Sequence, residues 1–307
     1  MSISHANQAS KMDVSKIAHA VRIAKAYLTL TKPRIAVLLL FTAFAAMIVA
    51  GHGVPSVSKA ILGLLGLGLS AGGAAAINMW YDRDIDAIMT RTSKRPLPAG
   101  MMTPRKALTF GLALGVLSIL LLALTVNWIS AALAGAGYVY YAVIYTMLLK
   151  RRTPQNIVIG GGAGAFPPLV GWAVITGHLS AMAWLMFAVI LLWTPSHFWG
   201  LALYKNEDYT RAGVPMMPVI KGARSTKFQM VTYAVALFAA SLALTPVMHA
   251  KLLYLVAASV LGLSFLCVNV RLLAEPDTKC AWAKRTFFAS LLYLPAIFTI
   301  MAICALV

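Results

Sequence analysis

The sequence predicts an all-α polytopic membrane protein with nine transmembrane helices, and three observations carry that prediction. Of 307 residues, 61% are hydrophobic and 11% charged, with a mean hydropathy of +0.82, whereas a soluble domain is about one quarter charged. Apolar runs of bilayer-spanning length, ~20 residues, recur along the chain. The basic residues gather between alternate runs rather than between all of them.

Taken in order, the first 34 residues are charged and too polar for a secretory signal. Asp13 and a modest arginine content also weigh against a mitochondrial transit peptide. Asp13–Leu30 alternates basic and apolar residues at helical spacing, which fits either an interfacial helix on anionic lipid or a solvated lead-in. Candidate spans follow at 35–51, 60–79, 107–125, 128–149, 157–176, 181–203, 228–248, 252–273 and 286–306, forming one transmembrane domain over 35–306. The fifth contains GGGAGAFPPLVGW. Its Pro167–Pro168 pair predicts a kink, and its small residues predict close helix contact.

Loop charge tests the count. With the N-terminus cytoplasmic, 24 of the 26 lysines and arginines fall on one face, leaving Lys59 and Lys251 on the other. An error of one helix would scramble that alternation, so the positive-inside rule supports nine spans with the C-terminus outside. The net charge of +18 is therefore a membrane-topology signal rather than a nucleic-acid footprint. Cys267, Cys280 and Cys304 form no CxxC pair and imply neither a disulfide framework nor a zinc site.

Acid is scarce. Three of the eight acidic residues, Asp82, Asp84 and Asp86, lie within five positions after the second span, and Glu207 and Asp208 follow the sixth. These segments, within 78–106 and 204–227, are the candidate catalytic loops on one membrane face. Asp82 and Asp208 are 126 positions apart, each after the second helix of a four-helix unit. That suggests two similar halves with a ninth helix appended, on topology alone.

Asn78, Asp82 and Asp86 stand at i, i+4 and i+8, so a helix would place them on one face. Such hard oxygen donors suit Mg²⁺, which takes one or two protein carboxylates and completes its shell with water and phosphate. Arg83, Arg91, Lys94 and Arg95 nearby suit the anionic oxygens of a diphosphate. Tyr204 and Asp208 form a second i, i+4 pair. Two such clusters at one face could hold metal on either side of a diphosphate, leaving an apolar tail in the membrane. A solvated loop whose acids and bases pair with one another is the competing reading for both.

The NxxxDxxxD and YxxxD segments on a nine-span chain resemble the UbiA-type intramembrane prenyltransferases, and the finer match is to the heme-farnesylating branch. Its hallmarks are LTKPRI at 30–35, NMWYDRDIDAIMTRTSKRPLPAG at 78–100, KRRTPQNIVIGGGAGAFPPLVGW at 150–172 and WTPSHFWGLALYKNEDYTRAGVPMMPV at 193–219. Ser196 stands where that pattern leads one to expect a second proline.

The resemblance implies a UbiA-like bundle that joins farnesyl diphosphate to a vinyl group of heme b, with addition of water. By position, Asn78, Asp82, Asp86 and Asp208 would hold Mg²⁺, with Tyr204 in the same site. Lys32, Arg34, Arg91, Arg95 and Lys205 are candidate diphosphate contacts, although Lys32 and Arg34 also suit headgroup snorkelling. Of the histidines, His197 is the candidate heme ligand, two turns before Tyr204, with a packing role as the alternative. His52, His178 and His249 fall at the opposite face, where heme entry or handover is conceivable. Trp193, Phe198 and Trp199 could line a flat pocket.

A bacterial inner membrane is expected, with a heme A synthase as a candidate partner and no nucleic acid. Two alternatives stand beside this reading: a prenyltransferase of the same fold acting on an aromatic quinone precursor, and a secondary transporter. A transporter's acids should lie near the bilayer midplane, whereas these sit at helix ends beside basic residues.

Overall fold

A computed structural model describes residue 17 and residues 20–278 and 281–307. Lys11, Asp13, Lys16, His5, His19, Lys279 and Cys280 fall outside the described residues, as does the N-terminal part of the Asp13–Leu30 segment. Residues 20–30 are helical.

Among the described residues, nine helices are long and apolar enough to cross a bilayer. They are α1 (Pro33–Gly51), α2 (Val57–Tyr81), α3 (Pro104–Thr125), α4 (Trp128–Leu149), α5 (Asn156–Thr176), α6 (Ala181–Tyr204), α7 (Met217–Val247), α8 (Lys251–Ala274) and α9 (Ala281–Leu306). Local chemistry sets several ends. Pro33 and Pro104 occupy first-turn positions, where a missing N–H costs nothing. Asn127 Oδ1 accepts from the Ser130 N–H at 2.8 Å, capping α4. Gly177, at φ 71°, ends α5 in a conformation that a side chain would strain.

Each helix packs on the next in sequence, and α9 returns against α1, so the nine close a ring; α1 also lies along α5. The ninth helix is thus the closing member of the circuit. A Cβ on Gly171 would lie 2.1 Å from the Ala43 carbonyl oxygen, so the α1–α5 crossing requires glycine there. The interior between α1, α5, α6 and α9 is filled by Ile48, Leu169, Met186, Trp193, Phe298 and Met301. Large apolar side chains on the outside, such as Leu112, Val116 and Leu120 on α3 and Leu252 and Val256 on α8, are exposed. In a soluble protein such faces would be an aggregation liability; against lipid they are the expected surface.

Three departures from simple α-helix matter. The second part of α4, Tyr140–Leu149, is π-helical, with the Lys150 N–H bonding the Tyr145 carbonyl five residues back at 2.8 Å. The break in α5 falls at Gly161, between Asn156–Gly160 and Gly162–Thr176, and the Pro167–Pro168 pair lies inside the second, continuous piece. The reason is packing: side chains at 160 and 161 would run into Tyr145 and Thr194, so the glycines that permit contact are also the weak point of the helix. Finally, α7 begins well before the apolar run expected at 228, with Gly222 at φ 77° breaking its basic first turn from the rest. Lys227 there is buried and donates to the Glu275 and Pro276 carbonyls at 2.7 and 3.3 Å and to Asp277 at 3.0 Å. It thereby caps the end of α8. α6 runs unbroken through Pro195 and Ser196, and the buried Ser196 hydroxyl donates to the Met230 carbonyl on α7 at 3.0 Å.

Candidate active site

The last turn of α2 carries Asn78, Asp82 caps that helix, and a short helix Arg83–Ile88 continues from it with Asp86. The ladder runs across the junction, Asp82 N–H to Asn78 carbonyl at 2.9 Å and Asp86 N–H to Asp82 carbonyl at 2.8 Å. The three side chains therefore stay on one face, and all are buried, at 3%, 0% and 1% exposure. Burial of two carboxylates is costly unless each is paired. Here each is.

Asn78 Nδ2 donates to Asp82 at 2.8 Å and to the Thr146 hydroxyl at 3.1 Å, while its Oδ1 accepts from Lys32 Nζ at 2.7 Å. Asp82 is paired with Lys150 and, at 3.3 Å, with Arg151. Asp86 takes the Arg95 guanidinium on both oxygens, at 2.9 and 2.7 Å. Asp84 turns outward, its side chain 61% exposed, and meets Arg151 at 2.6 Å. That hydrogen bond holds the Asp84 pKa down to about 2.

Lys32 reaches this group from a left-handed backbone (φ 50°, ψ 57°), a conformation that costs a non-glycine residue of order 1 kcal/mol. Its ammonium also donates to the Tyr141 hydroxyl at 3.0 Å. Burial, reinforced by the nearby Arg95 charge, lowers its pKa to about 7.

The π-helical stretch of α4 supplies the opposite wall. The Thr146 hydroxyl donates to the Tyr141 carbonyl five residues back at 2.7 Å and presents its lone pair to Asn78. Lys150 and Arg151 follow at the end of the same helix.

The second acid-bearing segment meets the first directly. The Thr90 N–H donates to Asp208 Oδ1 at 3.3 Å, and Arg211 pairs with Asp208 while donating to the Thr90 hydroxyl at 2.8 Å. Burial works to raise the Asp208 pKa, but hydrogen bonds from the Thr90 segment and the Arg211 charge outweigh it, so the net shift is downward. Both segments thus form one mouth at one end of the bundle.

The predicted basic residues divide. Lys32 sits on Asn78 and Arg95 on Asp86; Arg34 is exposed. Arg91 is exposed as well, with its backbone against Asp208. Tyr204 is 38% exposed, and its ring is covered by the ammonium groups of Lys205 and Lys284 at 4.7 and 5.6 Å. α6 ends at Tyr204, and Asp208 belongs to a separate short helix, Asn206–Arg211, so the i, i+4 spacing does not put the pair on a common face. Sequence reasoning missed Lys150, Arg151, Arg211, Thr90, Tyr141 and Thr146 as site residues. The KRR run at 150–152 was a visible signal for the first two.

His197 lies deeper, on α6, stacked between Trp193 (4.3 Å) and Phe287 (4.9 Å). Phe198 meets it edge-on at 5.1 Å, while Trp199 is fully buried. His52 and His249 stack on each other at 4.5 Å at the other end of the bundle.

The donor set is one amide oxygen and three carboxylates, hard oxygen ligands of the kind Mg²⁺ takes. No group of three or more histidine, cysteine or acidic side chains clusters tightly enough among the described residues to cage a metal alone. A metal here would complete its shell with water and substrate oxygens, as Mg²⁺ commonly does.

A buried face of paired acids and cations is thus set at one end of an all-helical membrane-spanning ring. The chain belongs to the UbiA prenyltransferase family, which matches residues 39–292. Among its relatives, it is 53% identical to the protoheme IX farnesyltransferase of Symbiobacterium thermophilum, over 91% of this chain and 94% of that protein. It is 50% identical to the protein of the same name from Agrobacterium fabrum, over 90% and 87%. Solved structures share the fold. A digeranylgeranylglyceryl phosphate synthase aligns with a TM-score of 0.77 at 18% identity, over 92% of this chain and 99% of that one. A UbiA homolog from Archaeoglobus fulgidus bound to DMAPP and Mg2+ aligns at 0.66 and 18%, over 90% and 99%.

Proposed function

We propose that this chain transfers the farnesyl group of farnesyl diphosphate to a vinyl group of heme b, with addition of water, to give heme O. The observation that supports it best is the Thr90–Asp208 bond, which joins the two acid-bearing segments into one cation-lined mouth on an apolar bundle. A diphosphate needs such a mouth, and a polyprenyl chain and a porphyrin need the apolar interior below it.

Asn78, Asp82, Asp86 and Asp208 would hold Mg²⁺, which supplies charge neutralisation for a departing diphosphate. Each acid is now held by a resident cation: Lys150 and Arg151 on Asp82, Arg95 on Asp86, Arg211 on Asp208. On binding, those cations, joined by Lys32 from Asn78, would pass to the diphosphate oxygens, where Arg95 and Arg151 would bind in a fork and Lys32 and Lys150 as point charges. As the allylic carbon–oxygen bond breaks, its electron pair leaves with the diphosphate, and these groups stabilise the charge that develops. The vinyl carbon of heme then bonds to the farnesyl cation. Water adds to the resulting benzylic-type cation and releases one proton.

The distribution of basic residues supports a cytoplasmic mouth and N-terminus, and the bacterial relatives support a bacterial inner membrane as the host. Farnesylation makes heme more apolar, so the product stays in lipid. A membrane-embedded heme A synthase is therefore the fitting next partner. Purified membranes incubated with heme b, farnesyl diphosphate and Mg²⁺ should yield a heme of increased mass and longer retention, and an excess of EDTA should prevent it. Turnover of an aromatic quinone precursor in place of heme b would overturn the acceptor assignment.

A further inference from the structure

His197 has an orientation set by a partner whose own proton is already committed. The Ser290 hydroxyl on α9 donates to the Phe287 carbonyl at 2.6 Å, three residues back in its own helix. A hydroxyl has one proton, so toward His197 Nδ1, 2.7 Å away, Ser290 can only accept. In the neutral ring the proton is therefore on Nδ1, and Nε2 carries the lone pair.

The rest of the surroundings fix the ring and leave that lone pair without a partner. Trp193 and Phe287 cover its two faces, with interplanar angles of 17° and 29°. Trp193 Nε1 donates to the Ser290 carbonyl at 2.9 Å, so the same two helices hold both the ring and its orienting hydroxyl. Among the described residues Nε2 makes no hydrogen bond, and the residue is only partly buried. In an apolar span an unpaired imidazole nitrogen is costly, and a ligand that takes the lone pair removes that cost. An imidazole whose second nitrogen donates to a fixed acceptor is the arrangement that metal-binding histidines use.

Position agrees with this. His197 is seven residues before Tyr204, a rise of roughly 10 Å, so it stands in the half of α6 nearer the acid-bearing end. The other described histidines, His52, His178 and His249, stand at the opposite helix ends and are exposed.

We infer that His197 Nε2 ligates the iron of the heme substrate, with Ser290 as the positioning residue that sets the tautomer. This rests on heme b being the acceptor. Titrating the purified full-length protein in detergent with ferric heme b, and recording the Soret and visible bands, tests both parts. The wild type should bind with the spectrum of histidine-ligated heme. His197→Ala should lose that spectrum, and His197→Met, which keeps a side chain of similar bulk, should replace it with a different ligated form. Ser290→Ala should keep the histidine-type spectrum and weaken heme binding roughly 10–100-fold.

A His197→Ala or His197→Met protein that binds heme with the wild-type spectrum overturns the ligation, even if turnover is lost. A wild type that makes the farnesylated product while its bound heme has no histidine-type spectrum also overturns the ligation and leaves the reaction standing. A wild type that neither binds heme b nor turns it over overturns the acceptor assignment and the ligation together.

Discussion

The two acid-bearing segments look alike in sequence and differ in the fold. At 78–86 the helical ladder passes through the cap residue Asp82, so i, i+4, i+8 becomes a single buried face with every acid paired. At 204–208 the helix stops: Lys205 leaves helical geometry at φ −117°, ψ 30°, Tyr204 stays 38% exposed, and Asp208, 7% exposed, turns to Thr90. Spacing predicts a common face only where the backbone hydrogen bonds continue. The first segment is a pre-formed half-site. The second is a strap whose one buried acid docks on it.

That contrast ranks the substitutions. Asp82→Asn should be the most damaging, because it removes the charge between Lys150 and Arg151 and leaves both cations facing a neutral amide. A loss of about 10³-fold in turnover is expected, with the protein still inserted and folded; near-normal product formation by mass spectrometry would remove Asp82 from the site. Asp208→Asn should cost roughly 10²-fold and, by loosening the Thr90 contact, make residues 88–92 easier to cleave by protease. If protease sensitivity there does not change, Asp208 does not hold the two segments together. Thr146→Val should come next. It leaves one Asn78 N–H without its acceptor, a loss of about 1–3 kcal/mol, felt as a tenfold or greater rise in the Mg²⁺ concentration needed for half-maximal rate. Thr146→Ser should restore it, and failure of that rescue would make Thr146 a packing residue only.

Much of this was legible in the chain. The nine spans were, because a bilayer demands long apolar runs and the lysines and arginines mark alternate ends. Asn78, Asp82 and Asp86 were, because acids are too rare here to fall at helical spacing without a reason. Thr146 and Tyr141 were not. They lie in an apolar run, and their part depends on a π-helical turn that no periodicity announces. Lys150 and Arg151 stood out as charge, yet their attachment to Asp82 spans 68 and 69 positions and is a tertiary fact. Lys32 and Arg34 are two positions apart, and a left-handed residue at Lys32 sends one to Asn78 while the other stays exposed.

The smallest effect should fall on the residue that the spacing favoured and the fold does not. Tyr204 hydroxyl makes no hydrogen bond to a carboxylate among the described residues, and its ring faces Lys205 and Lys284. Tyr204→Phe keeps that ring, so it should change folding stability by no more than about 0.5 kcal/mol, as for an exposed side chain, and turnover by roughly twofold. A loss approaching that of Asp208→Asn would mean that the strap rearranges when substrate binds, bringing the phenol onto the diphosphate.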